Sequence, residues 1–377
     1  MVITDVKPYP LWGGNRNYFF VKVETDAGLY GIGEGGLTWR ENACAEAVHH
    51  LKSLLVGQDA SRVEHLWQTM FRGGFFPADR VICSAIGAID IALWDLRGKA
   101  LGVPVYELLG GRVRDRVVCY PHVTGETPEQ LAERSQALVA DGWRFIRFGV
   151  PSQGASFDPS RAVRQAVAQF AAIREAVGPD VEICIDAHTR LDLPDAVRLC
   201  RALEPYRPYF VEDPLRSENP HSFHALVRHV AVPLAAGEQF ATKWEFRELI
   251  ESDLIQYCRV DLCICGGITE SRKVAGWCET HYVALAPHNP LGPVSTAACL
   301  HLDLATSNFG VQELPRIPGT ILPEVFPIQV PYADGHLLPP DRPGLGVEFN
   351  EDAAQDCVVR LGHSPQLRRP DGSFTNW

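Results

Sequence analysis

Six ionisable residues, Asp186, Glu212, Glu238, Asp261, His288 and Glu313, follow one another along the second half of the chain at steps of 26, 26, 23, 27 and 25 residues. Each closes a short apolar run: EICID, PYFVE, PLAAGE, LIQYCRVD, VALAPH and FGVQE. One strand-plus-helix unit of a closed parallel barrel occupies roughly 25–35 residues, since about 250 residues are spread over eight units. The rhythm therefore marks the same structural position on consecutive strands. It predicts that all six side chains converge on the carboxyl-end mouth of a barrel.

Two further runs, VVCYPH and RFIRFGV, precede these and bring the candidate strands to eight. The stretches between them, such as PEQLAERSQALVADG, PDAVRLCRALEPY and KWEFRELIES, carry apolar residues at helical spacing with polar opposite faces. Upstream of Asp115 the pattern differs. ITDVKPYPL and YFFVKVETDAGLYGIGEG alternate as strands around an Ala27-Gly28 turn, and helical spacing follows over Glu41 to Leu55 and Ser84 to Lys99. After Pro315 the chain is proline-rich and extended. The expected fold is α/β, a modified TIM-type (β/α)7β barrel over residues 115–318. An α+β capping domain would be formed by residues 1–114 and a C-terminal tail, 319–377, packed back on it.

The balance of 35 Lys and Arg against 46 Asp and Glu, a net charge of −11, disfavours general attraction to nucleic acid or anionic lipid. It still allows a small acid as substrate, if a divalent cation inverts the local potential. Of the 11 cysteines, Cys119, Cys184 and Cys258 lie in apolar runs and read as core residues, and no CxxC pair suggests structural zinc. With no leader at Met1 and no apolar run of about 18 residues, a soluble cytoplasmic protein is expected, with neither membrane nor nucleic acid as partner. A homo-oligomer is the expected assembly.

Acids after strands are often helix caps. Three buried together near a barrel axis are another matter, because like charges in low dielectric need a compensating cation. Carboxylate-only ligation by Asp186, Glu212 and Glu238 favours Mg²⁺ over Zn²⁺. Asp261 and His288 sit one strand apart, so Asp261 can accept from the imidazole and fix its tautomer, making His288 a candidate base. His188, two residues past Asp186, leans toward the same mouth, roughly across from His288.

At these residues the chain resembles the enolase superfamily, mandelate racemase subgroup, and within it most the D-galactonate dehydratases and related acid-sugar dehydratases. The likeness runs end to end. It rests on AIGAIDIALWDLRGK with PVYELLGG, on LEPYRPYFVEDPL, PLAAGEQF, RVDLCICGGITE, APHNPLGPVSTAACLHLD and FGVQE, and on PGLGVEFNE. The resemblance implies one Mg²⁺ held by Asp186, Glu212 and Glu238, proton removal by His288 paired with Asp261, and His188 as general acid. Glu313, protonated or sharing a proton, would hydrogen-bond the substrate carboxylate. The implied reaction abstracts the α-proton of an acid sugar, an aldonate such as galactonate or a relative, through an enediolate. Loss of the 3-hydroxyl then gives a 2-keto-3-deoxy acid.

Two segments depart from the pattern. Arg147-Phe148-Gly149 stands where racemases of the subgroup carry a KxK pair, so a second-strand lysine base is absent. After Glu313 the chain runs LPRIPGTILPEVFP, unlike the usual continuation. Arg147 either reaches the substrate's distal groups or pairs with a nearby acid, and His122, ending the first barrel strand, is open in the same way. Arg16 and Trp39 fall in capping loops that would close over the ligand. The rival readings are an epimerase, racemase or cycloisomerase of the same superfamily and a non-catalytic binding barrel.

Overall fold

The computed structural model describes residues 1–152 and 154–375. The chain begins with an antiparallel meander of β1 (Ile3–Trp12), β2 (Asn17–Thr25) and β3 (Tyr30–Gly35). The turn between β2 and β3 uses Gly28 at φ +72, a conformation that costs glycine little. Helices α1 (Glu41–Leu55), α2 (Val63–Arg72), α3 (Arg80–Leu101) and α4 (Val105–Leu108) follow. The α3 sequence is apolar on nearly every face, and the helix is buried accordingly. Asp79 accepts from the backbone N–H groups of Val81 and Ile82 to start it, and Gly102 at φ +72 ends it.

β3 lies directly on α3 because two of its residues have no side chain. A Cβ on Gly33 would run into the carbonyl oxygen of Ala88, and one on Gly31 into that of Ala92. Gly33→Ala is therefore expected to destabilise the fold by about 1–3 kcal/mol through overpacking. A urea-unfolding midpoint equal to that of the parent would contradict this close approach.

The barrel strands are β4 (Val117–Tyr120), β5 (Phe145–Gly149), β6 (Glu182–Asp186), β7 (Phe210–Glu212), β8 (Leu234–Ala236), β9 (Tyr257–Cys258), β10 (Ala284–Leu285) and β11 (Gln312–Glu313). β5 to β10 pair in parallel and in sequence order, and β11 pairs in parallel with β4. Single bridges, His122 to Arg147 and Leu285 to Phe309, close the circle. Seven crossovers carry α5 (Pro128–Ala140), α6 (Pro159–Val177), α7 (Leu193–Leu203), α8 (Phe223–Leu226), α9 (Lys243–Glu251), α10 (Ile268–Thr280) and α11 (Pro293–Ala305). β11 is followed by irregular chain, so the architecture is the expected (β/α)7β. No described helix is long and apolar enough to cross a membrane.

The interior explains why the polar ladder works. Tyr120, Cys184, Phe210, Ala235, Ala286 and Val311 form one buried cluster, large and small side chains filling the barrel together. Side chains two residues apart on a strand share a face. His122, Asp186, Glu212, His288 and Glu313 each stand two positions after a plug residue and form the next layer toward the mouth. Cys119, Cys184 and Cys258 are free and buried, as expected of core residues.

The tail returns to the rest of the molecule in two places. Its hairpin, β12 (Tyr332–Ala333) and β13 (His336–Leu337), pairs antiparallel with β4 at Val117 and Val118. Beyond it, Glu351 at the start of α12 (Glu351–Gln355) binds Tyr9 and Lys22 on the N-terminal sheet. Buried acids join that sheet and its helices to the barrel. Glu34 accepts from the N–H groups of Gly292 at 2.7 Å and Ser295 at 2.8 Å, at the start of α11. Asp90 does the same for Thr269 at 2.9 Å, at the start of α10. A carboxyl oxygen there satisfies orphan amides at the helix start, while burial raises the Glu34 pKa to about 8 and that of Asp90 to about 7.

Candidate active site

Asp186 and Glu212 end β6 and β7, and Glu238 follows Gly237, whose φ is +128, just past β8. One carboxylate oxygen from each of the three lies within 4.8 Å of the others. Asp186 and Glu212 are completely buried. Positive charge reaches the group from two arginines. Arg259, itself fully buried, donates through Nε to Glu212, through Nη2 to Glu313 at 2.6 Å and through Nη1 to the Ala286 carbonyl at 2.6 Å. Arg147, on β5, lies against Asp186 with Nε 3.9 Å from Glu212.

This charge is unevenly shared. Burial pushes Glu212 up, but Arg259 and Arg147 outweigh it and hold the carboxyl below its usual range. Glu238 has no such guanidinium contact, and burial leaves it raised despite the opposing pull of His288. Oε2 of Glu212 has no hydrogen-bond partner. Three converging carboxylates with an orphaned oxygen among them fit a hard divalent cation.

His188 and His288 both line one cavity with Glu238 and Glu313. His288 Nδ1 lies 2.7 Å from Asp261 Oδ2, and its Nε2 is 3.4 Å from Glu238 Oε2. Asp261 is fixed in turn by the backbone N–H of Cys263, at 2.7 Å. Burial opposes a charged imidazole, but Glu238, Glu313 and Asp261 together raise the His288 pKa to about 9. His188 sits at φ +50 with Nε2 2.9 Å from Asp186 Oδ2 and 3.2 Å from Arg147 Nη2. Burial first, then Arg147 and Arg190, press its pKa down to about 3. A Cβ on Gly149 would lie 3.2 Å from the ring of His188, so the glycine makes room for that imidazole.

Arg147 lies against Asp186 and also lines the cavity, so both roles open to it keep a structural basis. Replacing it tests the electrostatics of the site. In metal-free protein, Arg147→Gln removes a positive charge that disfavours imidazolium, so the His188 pKa is expected to rise by about 1 or more toward its ordinary range. Side-chain NMR titration of His188 measures this, and an unmoved value would rule out the contribution of Arg147.

His122 Nε2 lies 2.7 Å from Glu313 Oε1, and burial, with Arg147 next, lowers the His122 pKa to about 4. Glu313 also accepts from the Asn289 N–H at 2.9 Å. Although burial pushes its pKa up, Arg259, His288 and His122 bring it well below the carboxylate range. Those three neighbours thus favour the carboxylate form of Glu313. Arg16 and Trp39 line the same cavity of about 620 Å³ as His188, Glu238, His288 and Glu313, with Arg40 and Arg316 also on its walls.

Arg259 and Asn289 escaped the sequence reading. Arg259 had a signal, being a cation inside LIQYCRVD two residues before Asp261 and hence on the same strand face. Asn289 acts through the turn after His288. It receives a bond from Ser295 Oγ at 2.7 Å and donates its side-chain N–H to the Glu313 carbonyl at 3.2 Å, a connection no local pattern announces.

Residues 13–110 match the N-terminal domain of mandelate racemase / muconate lactonizing enzyme, and residues 130–353 match the enolase C-terminal domain-like family. A D-galactonate dehydratase of Ralstonia nicotianae is 42% identical over 388 residues, with 100% of both chains covered. Among solved structures, an enolase from Pantoea ananatis with bound D-gluconate and Mg superposes with a TM-score of 0.95. It is 32% identical and covers 100% of this chain and 99% of its own. An enolase from Agrobacterium radiobacter, described as a putative galactarate dehydratase with bound Na and L-malate, gives 0.93 at 33% identity, with 100% of both chains covered.

Proposed function

This chain belongs to the mandelate racemase / muconate lactonizing enzyme family of the enolase superfamily, and from that premise we propose that it is a Mg²⁺-dependent acid-sugar dehydratase. It would take the α-proton from an aldonate such as galactonate or a relative, and expel the 3-hydroxyl to leave a 2-keto-3-deoxy acid. The observation that carries this reading is the placement of the His288–Asp261 pair, 2.7 Å apart, beside a buried carboxylate trio whose atoms converge within 4.8 Å.

Asp186, Glu212 and Glu238 would hold the ion, which when bound supplies Lewis-acid stabilisation of the negative charge that develops on the substrate carboxylate. Asp261 accepts the Nδ1 hydrogen of His288 and so leaves Nε2 as the basic atom. After burial, Glu238 is the largest influence on the His288 pKa and it raises it. With Glu238 engaged as a ligand, Nε2 is free to take the α-proton. Glu313, ionised at rest, gains a proton as a second carboxylate arrives beside it, because like charges raise each other's pKa. It can then hydrogen-bond the substrate carboxylate.

His188 gives a proton to the departing hydroxyl, and the C3–O bond breaks with loss of water. Its resting pKa of about 3 reflects burial and two neighbouring guanidiniums. An anionic substrate entering the cavity that Arg147 lines offsets that charge and allows His188 to carry the proton.

The presence of two imidazoles, His288 and His188, on the walls of one cavity favours one second reading, an epimerase that uses them as opposed acid and base. A Mg²⁺-supplemented screen of aldonic and aldaric acids separates the two. Formation of 2-keto acid supports dehydration. Exchange of the α-proton with deuterated water, without any loss of water, would replace this reading with the epimerase.

A further inference from the structure

Two guanidiniums meet in the cavity with no acid to pair them. Arg16, in the loop between β1 and β2, donates Nη1 to the carbonyl of Pro290 at 2.9 Å. Arg316, three residues past Glu313, donates its own Nη1 to the same oxygen, also at 2.9 Å. Neither forms an ion pair with a carboxylate among the described residues. Nε of Arg16 is buried without a hydrogen-bond partner. Both side chains line the cavity that holds Glu238 and His288, and Arg40 and His363 add further basic character to it.

A neutral carbonyl is a poor common partner for two like charges. It carries only a partial negative charge, and each guanidinium keeps most of its five donors for something else. Planar forks of this kind match a carboxylate, which can take two parallel N–H bonds from one arginine and a further one from another. Arg147 also lines this cavity, but it lies against Asp186, whereas Arg16 and Arg316 meet no carboxylate among the described residues. Arg316 lies in LPRIPGTILPEVFP, the segment that follows Glu313 at the end of the last barrel strand.

We infer that the Arg16–Arg316 pair receives a second acidic group of the substrate, so that the preferred substrate class is a six-carbon diacid, an aldaric acid, rather than an aldonic acid ending in a hydroxymethyl group. This rests on the acid-sugar reading above, in which the reacting carboxylate is bound at the Asp186, Glu212 and Glu238 end. A monoacid satisfies that end and leaves the arginine pair without an anion. A diacid satisfies both. The cavity volume of about 620 Å³ falls within the range of about 300–1,000 Å³ usual for small-ligand sites.

The test uses the full chain with Mg²⁺ and an aldaric and an aldonic acid of the same configuration. The diacid is expected to have the higher kcat/KM by roughly tenfold or more, the scale of a charge-assisted hydrogen bond. Arg16→Gln and Arg316→Gln should each shrink that ratio toward one, chiefly by raising KM for the diacid. Binding is measured separately by calorimetry with L-malate and with a monocarboxylate of equal length. The dicarboxylate should bind more tightly, and Arg316→Gln should abolish the difference.

A higher kcat/KM for the aldonic acid, with a ratio that Arg316→Gln leaves unchanged, overturns the inference and leaves the dehydratase reading standing. If neither acid loses water but L-malate binds in an Arg316-dependent way, the dehydratase reading fails and the second-anion site stands. Equal binding of the two simple acids would also overturn the inference.

Discussion

Asparagine in place of His288 is expected to lower kcat for acid-sugar dehydration by about 10²- to 10⁴-fold, the usual contribution of a positioned general base. Asparagine can still hydrogen-bond Asp261, which now lies 2.7 Å from the imidazole, but it has no nitrogen that takes up a proton at neutral pH. Ligand groups and cavity shape stay in place, so Mg²⁺ affinity should be retained. Loss of 2-keto acid formation and of α-proton exchange should go together, because both begin with the same abstraction. A His288→Asn enzyme that keeps exchange in deuterated water at the parental rate would remove His288 from the role of base.

The second large effect concerns Arg259, whose guanidinium is fully buried between Glu212 and Glu313. Methionine there leaves two buried carboxylates without their main compensating charge. Breaking one side of such a network costs about 3–5 kcal/mol, and urea unfolding should register a loss of that order. Mg²⁺ should narrow the deficit, since a cation that binds only the folded state stabilises it in proportion to its occupancy. A variant as stable as the parent in the absence of Mg²⁺ would mean that Glu212 and Glu313 are neutralised by other means.

The ladder from Asp186 to Glu313 was legible because barrel strands recur at a near-constant period and because strand side chains alternate faces. The arrangement needs no long-range information beyond that rhythm. The helix Val63–Arg72 was not read, and its start explains why. Arg62 stands at its N-cap and makes no side-chain capping bond, so the usual Ser, Thr, Asp or Asn signal is absent. Arg259 was hidden by its apolar run, although strand parity put it on the same face as Asp261. The acid at Arg147's side and the partners of Glu34 were illegible for a different reason. Glu34 meets amides at Gly292 and Ser295, more than two hundred residues away, and one sequence carries no record of such a meeting. The pull on Glu313 was illegible because it comes from Arg259, His288 and His122 together.

The bond from Glu34 to the start of α11 also bears on how such enzymes diversify. Ser295 receives Glu34 at its backbone and passes a hydroxyl bond to Asn289, which holds Glu313. The segment that carries Arg16 and Trp39 is thereby wired to the wall that carries His288 and Glu313. A chimera carrying another relative's N-terminal segment must bring an acid to this position, or two amides are left without an acceptor and Asn289 loses its anchor. Editing the loops around Arg16 and Arg316 leaves this chain of bonds intact and is expected to cost less stability than exchanging the segment whole.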